Sequence, residues 1–288
     1  MSGETGDTRD RSLAHWSEVA REEMDAFYQV ATLDYKELAL ASDWDALLPV
    51  PPSLSAIGGR ETPRSPLRIL DVACGSGKFP AALRMHTALG SRENSPIVLD
   101  LLDPSSFSLR EARESLAPPF IADRDFECTL QDLPATATDY DVVWAVHALY
   151  ALPEAELGEG VAAFLRAIGP DGFGFVAHAT RSAHYLAFYE AYLARFKPAG
   201  TPFVSGESVE RAFRDAGAQV EVKPLSYEQV IEDDAVLEGF LHRCVFDSEL
   251  SLEAMRQDEI LGAYLAARRD ETGHFRFRQD VSMIFIRR

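Results

Sequence analysis

The chain has 288 residues, 47% hydrophobic and 26% charged, which is enough apolar content to bury a sizeable core and too much for wholesale disorder. Its 28 Lys and Arg against 46 Asp and Glu leave a net charge of −18, which repels phosphate and excludes nucleic acid and anionic membranes as expected partners. Cys74, Cys128 and Cys244 lie far apart with no CxxC pair, so neither a disulfide framework nor a zinc knuckle is expected. A reducing, cytoplasmic setting fits this, as do a polar start (MSGETGDTRDRS) without an apolar signal core and the lack of any run near the roughly 18 apolar residues of a membrane span.

Residues 1–12 are polar and predict a disordered tail. From Leu13 the apolar positions Leu13, Trp16, Val19, Ala20, Met24, Phe27 and Tyr28 recur at three and four, the period of an amphipathic helix, with more helix to about Leu48. Pro51 and Pro52, Gly58 and Gly59, and Pro66 then predict a linker that closes an N-terminal unit of residues 13–66. The period changes at Leu67. Leu67–Val72 is a short apolar run, a glycine turn follows, Lys78–Leu89 is helical, Pro96–Leu102 apolar and Phe107–Leu116 helical. Asp125–Leu130, Tyr140–Val146 and Gly172–Ala179 are further strand candidates, the last two flanking a helical Glu154–Ile168. Strands and helices alternating at this spacing predict an α/β fold with a mostly parallel sheet covered on both faces. Beyond it, Ser208–Ala216 is predicted helical, Gln219–Leu225 extended, Glu228–Phe246 and Leu252–Arg268 helical, and His274–Arg288 carries two alternating runs able to extend the sheet.

The most informative stretch is Leu70-Asp71-Val72-Ala73-Cys74-Gly75-Ser76-Gly77-Lys78-Phe79, which sets a glycine bend between the first predicted strand and helix of the sheet. In doubly wound folds that position faces a ligand crevice. A dinucleotide fingerprint GxGxxG would need a third glycine where Pro80 stands. A phosphate loop GxxxxGK[ST] would need glycine at Val72 and a hydroxyl at Phe79. What remains is an acid at the strand end, Asp71, with Gly75 and Gly77 after it.

These residues resemble motif I of the class I S-adenosylmethionine-dependent methyltransferases, D/E-x-G-x-G-x-G, with Ala73 in the place of the first glycine. The resemblance implies a Rossmann-like, doubly wound, mostly parallel seven-stranded sheet over residues 67–288, with S-adenosyl-L-methionine as cofactor. It implies that Asp71 meets the methionine amino group and that Ala73, Gly75 and Gly77 let the backbone approach the cofactor. Val98-Leu99-Asp100-Leu101-Leu102-Asp103-Pro104-Ser105 supplies the acid expected at the second strand end for the ribose hydroxyls; Asp103 is in the matching place and Asp100 is its rival. Gln131 and Asp132, after the third strand candidate, stand where the family contacts adenine. The fourth strand runs into His147-Ala148-Leu149-Tyr150, the end that faces methyl group and acceptor in the family. The turn Asp103-Pro104-Ser105, the segment His147–Tyr150 and the ending Asp280-Val281-Ser282-Met283-Ile284-Phe285-Ile286 are similar to those of histamine N-methyltransferase and other small-molecule enzymes of its type. That enzyme carries a glutamine where His147 stands and an asparagine near Asp280.

The implied reaction is an in-line methyl displacement onto a nitrogen or oxygen of a small molecule, needing no metal; orientation alone supplies up to roughly 7–11 kcal/mol. An amine or hydroxyl acceptor has a proton to lose, so one general base is useful. His147 is the first candidate, equally readable as a structural histidine and also placed to touch the cofactor; His178 is second and His184 third. Tyr150 could orient the acceptor, Asp280 could pair with a cationic one, and Tyr28, Tyr35 and His184 are candidate acceptor contacts. Trp16, Phe27, Tyr28 and Tyr35 would form a helical lid over the cofactor crevice, since aromatic faces attract sulfonium by about 0.5–2 kcal/mol. An insertion at about 181–205, with Tyr185, Phe188, Tyr189, Tyr192 and Phe196 at helical spacing, would line the acceptor pocket, with a further helical segment at about 228–270. Cys74, inside the turn, is expected to pack rather than react. Two other functions stay open at this point: a non-methylating step such as cyclisation on the same cofactor, and a non-catalytic interaction protein. Monomer and homodimer are both compatible with the sequence.

Overall fold

The computed structural model describes residues 7–18, 21–49, 66–92 and 95–288. Seven strands form one sheet in the order β3-β2-β1-β4-β5-β7-β6. The first five, β1 (Leu67–Val72), β2 (Ile97–Leu102), β3 (Phe120–Phe126), β4 (Tyr140–Val146) and β5 (Ile168–Ala179), are parallel. β7 (Phe275–Arg287) runs antiparallel to β5, and β6 (Gln219–Ile231) antiparallel to β7. This is the mostly parallel α/β sheet expected from the alternation of elements, and the seven-stranded Rossmann-like architecture that the resemblance implied.

The central strands are buried on both faces, which explains their unbroken apolar runs. In β1, Ile69 enters the core cluster on one side of the sheet while Leu70 and Val72 enter the other, as the period of two requires. One face is covered by α2 (Arg21–Leu40), α3 (Trp44–Leu47), α4 (Lys78–His86) and α5 (Ser106–Ser115). There Trp44, Phe79, Trp144 and Phe175 meet edge to face, with ring centroids 4.8–5.3 Å apart for Trp44–Phe175, Phe79–Trp144 and Trp44–Phe79. The other face is covered by α6 (Leu157–Ala167) and α8 (Gly206–Asp215). A third cluster joins α7 (His184–Phe196), α9 (Asp234–Val245), α10 (Leu252–Gln257) and α11 (Glu259–Ala266) to the ends of β6 and β7.

Several boundaries differ from the sequence expectation. The third strand is Phe120–Phe126, not Asp125–Leu130: β3 is an edge strand with mostly exposed side chains, so it has no apolar run, while Leu130 is a loop residue packed into the core. β6 continues through Ile231, where Glu228 was expected to begin a helix; Tyr227, Gln229 and Ile231 alternate inward at period two. The helix there starts only at Asp234, where the Asp233 carboxylate accepts from the Ala235 and Val236 N–H groups. Asp258 caps α11 in the same way and splits the expected Leu252–Arg268 helix. The two C-terminal runs form one strand. At the other end, α1 (Asp7–His15) is helical where a tail was expected, and the helix predicted from Leu13 is broken between His15 and Arg21. Residues 1–6 of that tail and 50–65 of the expected linker lie outside the described residues.

Candidate active site

The strand order reverses at β1, and the crevice of a doubly wound sheet opens there, at the strand carboxyl ends. Between β1 and α4 the chain adopts left-handed φ at Ala73 (+51°), Gly75 (+52°) and Gly77 (+70°), coiling the turn tightly. Gly77 also makes room: a Cβ there would lie 2.3 Å from Ser115 Oγ and 3.2 Å from Ala112 Cα of α5. Gly77 therefore serves helix packing and does not line the crevice. Gly75 does line it; a Cβ there would meet only Tyr28 Oη, at 3.7 Å, so its backbone angle is what asks for glycine.

Asp103 ties the turn to the end of β2. Its Oδ2 accepts the Gly75 N–H (3.1 Å) and its Oδ1 the Ser105 N–H (2.9 Å). Asp100, the alternative, faces an ion cluster instead, accepting from Arg124 Nη2 (2.6 Å), Tyr140 Oη (2.6 Å) and Arg68 Nη2 (3.1 Å). Asp71 and Asp103 both line a cavity of about 170 Å³ together with Ala73, Tyr28, Gln131 and His147. Burial, with the neighbouring Asp103 charge adding to it, pushes the Asp71 carboxyl up to about 7 against the opposing Trp144 indole N–H. Burial likewise pushes Asp103 up to about 6, opposed by its two backbone bonds. Two such carboxylates at one strand-end crevice favour a ligand that brings positive charge and hydroxyl donors.

The N-terminal helix closes this cavity. Ser12, Leu13 and Trp16 line it. Trp16 Nε1 donates to Tyr150 Oη (2.6 Å), Ser105 Oγ donates to the Trp16 carbonyl (2.9 Å), and Arg9 pairs with Glu156, which also accepts from Gln131 Nε2 (3.1 Å). On the same side, Lys78 Nζ stands 4.6 Å above the Tyr28 ring.

A second cavity, of about 80 Å³, shares Trp16, Tyr35, His147 and Tyr150 with the first and extends to Asp34, His178, Tyr185 and Arg243. His147 sits at the junction with φ +51°, its ring edge-on to Tyr35 at 6.1 Å. Burial holds its imidazole down at about 3, with the field of His178 adding to the effect. His178, at the end of β5, is held down to about 4, again by burial. Its Nδ1 lies 3.1 Å from the Ala179 carbonyl, which can only accept, so Nδ1 carries the proton and Nε2 the lone pair. His147 Nε2 and His178 Nε2 are both buried without a hydrogen-bond partner among the described residues. Asp34, pushed up to about 7 by burial, accepts from Tyr185 Oη (2.6 Å) and Gln229 Nε2 (2.6 Å).

The sequence-selected residues therefore divide. Asp71, Ala73, Gly75, Asp103, Gln131, Tyr28, Tyr35, His147, Tyr150 and, through the second cavity, His178 come together. Gly77 and Asp132 do not line either cavity; Asp132 accepts from Thr129 Oγ1 (2.7 Å) in its own turn. His184 is buried against Phe277, with ring centroids 4.0 Å apart, and its Nδ1 meets Tyr264 Oη at 3.0 Å, outside both cavities. Asp280 lines neither cavity and accepts from Arg278 Nε (2.9 Å) and Ser182 Oγ (3.2 Å). Asp34 and Arg243 were not selected from sequence. Each interrupts the apolar stripe of its helix (Ala31, Leu38 in α2; Phe240, Cys244 in α9), and that interruption is the signal that could have found them.

A family model described as a methyltransferase domain matches residues 69–172, the span from β1 into β5 that carries Asp71, Asp103, Gln131 and His147. The chain carries a class I S-adenosylmethionine-dependent methyltransferase domain. Solved structures agree on the fold of the whole. Magnesium protoporphyrin IX methyltransferase from Synechocystis PCC 6803, solved with S-adenosylhomocysteine, is 12% identical over 96% of this chain and 97% of its own, with a TM-score of 0.53. The plantazolicin methyltransferase BpumL, also solved with S-adenosylhomocysteine, is 13% identical over 97% of this chain and 95% of its own, with a TM-score of 0.51. No curated protein matches the chain. Among the described residues no helix of this methyltransferase is long and apolar enough to cross a membrane.

Proposed function

We propose that this methyltransferase acts on a nitrogen or oxygen of a small molecule held in the second cavity, with its cofactor in the first. The observation that carries this reading is the pair of imidazoles: His147 lines both cavities and His178 the second, each with an Nε2 that has no hydrogen-bond partner among the described residues. When bound, S-adenosylmethionine supplies a methyl group already activated on sulfonium. Asp71 would hold its α-ammonium, the free lone pairs of Asp103 its ribose hydroxyls, and Gln131 an edge of its adenine. Ala73 and Gly75 bring the backbone close, while Trp16 and Tyr150 exclude water from the junction. His178 Nε2 offers its lone pair to the proton that the acceptor N–H or O–H must shed, and its low affinity for that proton keeps it available at neutral pH. The likeness to histamine N-methyltransferase contributes the acceptor class only, because His147 replaces the glutamine of that enzyme.

The test is label transfer from S-adenosylmethionine to a panel of small amines, phenols and acids, beside calorimetry with S-adenosylhomocysteine. Micromolar binding and label transfer that falls by about 10²–10⁴ in kcat in His178→Gln support the assignment. Tight binding with no transfer to any acceptor would overturn it.

A further inference from the structure

Arg243 in α9 is 2% exposed and lines the second cavity. Its Nη1 donates to the His15 carbonyl, and its guanidinium lies 4.4 Å from the centroid of the Trp16 ring. Nε and Nη2 have no hydrogen-bond partner among the described residues. Those two atoms form the edge of the guanidinium that meets a carboxylate through two parallel N–H···O bonds. No carboxylate among the described residues occupies that role. Both oxygens of Asp34 are committed, to Tyr185 and Gln229. Glu23, whose field reaches Arg243, stands 3.0 Å from His15 Nδ1. A guanidinium kept dry with two of its three nitrogens unpartnered is costly unless an anion arrives to meet it.

We propose that the acceptor carries a carboxylate, gripped side-on by Arg243, with the atom to be methylated presented at the His147–His178 junction. This rests on reading the second cavity as the acceptor chamber. Apart from Asp34, whose oxygens are committed, the remaining walls are aromatic (Phe27, Phe203, Phe246, Tyr185) or small and apolar (Ala179, Leu186, Cys244), so they suit the flat or apolar body of a small acid, and no lysine or second arginine is among them. The planar, two-oxygen shape of a carboxylate matches the one free edge in a space of about 80 Å³.

The experiment compares acids with their neutral isosteres by calorimetry on the full chain: benzoate with benzamide, 4-hydroxybenzoate with 4-hydroxybenzamide, and 4-aminobutyrate with its amide, each at saturating S-adenosylhomocysteine. At least one acid is expected to bind about tenfold or more tightly than its amide. Arg243→Met should erase the preference and Arg243→Lys retain part of it; the ratio of acid to amide is the readout, because a lid loosened at Trp16 would weaken both ligands alike. Because Arg243 is buried, thermal melting accompanies each variant; should Arg243→Met fail to fold, the wild-type comparison and Arg243→Lys decide. Amides binding as well as acids, no acid binding at millimolar concentration, or a preference that survives Arg243→Met would overturn the proposal. Loss of S-adenosylhomocysteine binding by the wild type would instead tell against the methyl-transfer reading, and the acid–amide comparison would then be made on the free protein.

Discussion

The strongest quantitative consequence concerns the pH dependence of cofactor-product binding. In the free protein Asp71 holds its proton up to about pH 7 and Asp103 up to about pH 6, because both carboxyls are buried. Binding an ammonium at Asp71 and hydroxyl donors at Asp103 requires both to be ionised, so each unit of pH below those values costs about 1.4 kcal/mol per group. From pH 7.5 to pH 5, Asp71 loses two units and Asp103 one, a fall of about 1,000-fold in affinity, or roughly 4 kcal/mol. Above about pH 8 affinity falls again as the α-amino group of the ligand deprotonates. Calorimetry with S-adenosylhomocysteine across this range, repeated in buffers of different ionisation enthalpy, should also show about one and a half protons released on binding near pH 6. Asp71→Asn removes a charge-assisted bond worth about 1.5–3 kcal/mol at pH 7.5 and leaves only the limb below pH 6. An affinity that stays constant from pH 5.5 to 7.5, or a variant with the wild-type slope, would refute the placement of the methionine end against Asp71.

Three further outcomes are expected. Gly77→Ala combines a left-handed Cβ with a 2.3 Å approach to Ser115 Oγ, so urea unfolding should show a loss of about 2–4 kcal/mol, partly restored by Ser115→Ala; a loss below about 1 kcal/mol would contradict this. Tyr150→Phe strips the acceptor from Trp16 Nε1, at a cost of about 1 kcal/mol to the lid, and S-adenosylhomocysteine release followed by stopped-flow fluorescence should speed up about fivefold; an unchanged rate would show that the contact does not hold the lid. Asp34, raised to about 7, contributes stability that is fully present below its unfolded value near 3.8 and is lost as pH rises through 7. The stability difference between Asp34→Asn and wild type should thus move in favour of the variant by about 1.4 kcal/mol per unit between pH 4 and 7 and then level off, whereas a constant difference would place Asp34 in a wetter setting.

Much of the fold was legible because its signals are local. β1, β2, β4 and β5 are buried on both faces, so each appears as an apolar run, and the turn after β1 is marked by Asp71, Gly75 and Gly77 within seven residues. The errors fall where burial is one-sided or a cap decides. β3 lies at the sheet edge and shows charge instead of apolarity; β6 carries Glu228 and Gln229, which favour helix locally, yet is held extended by thirteen paired positions along β7. Propensity lost to pairing in that strand, and a single aspartate set each of the later helix starts.

The candidate site divides along the same line. Asp71, Asp103 and Gln131 could be read from sequence because each follows a strand, and strand ends converge by topology whatever the side chains are. The second cavity could not, because it is assembled from groups far apart along the chain. Asp34 meets Tyr185 at a separation of 151 residues and Gln229 at 195. Periodicity tells that the Asp34 face of α2 is buried, but not that a tyrosine hydroxyl and a glutamine amide wait there to hold a carboxylate. The same holds for Arg243 and His184, two polar groups on buried helix faces with opposite fates: His184 is stacked on Phe277 and bonded to Tyr264, whereas two nitrogens of Arg243 have no partner among the described residues. Partner count, which only the folded chain supplies, is what separates a satisfied core residue from one built to meet a ligand.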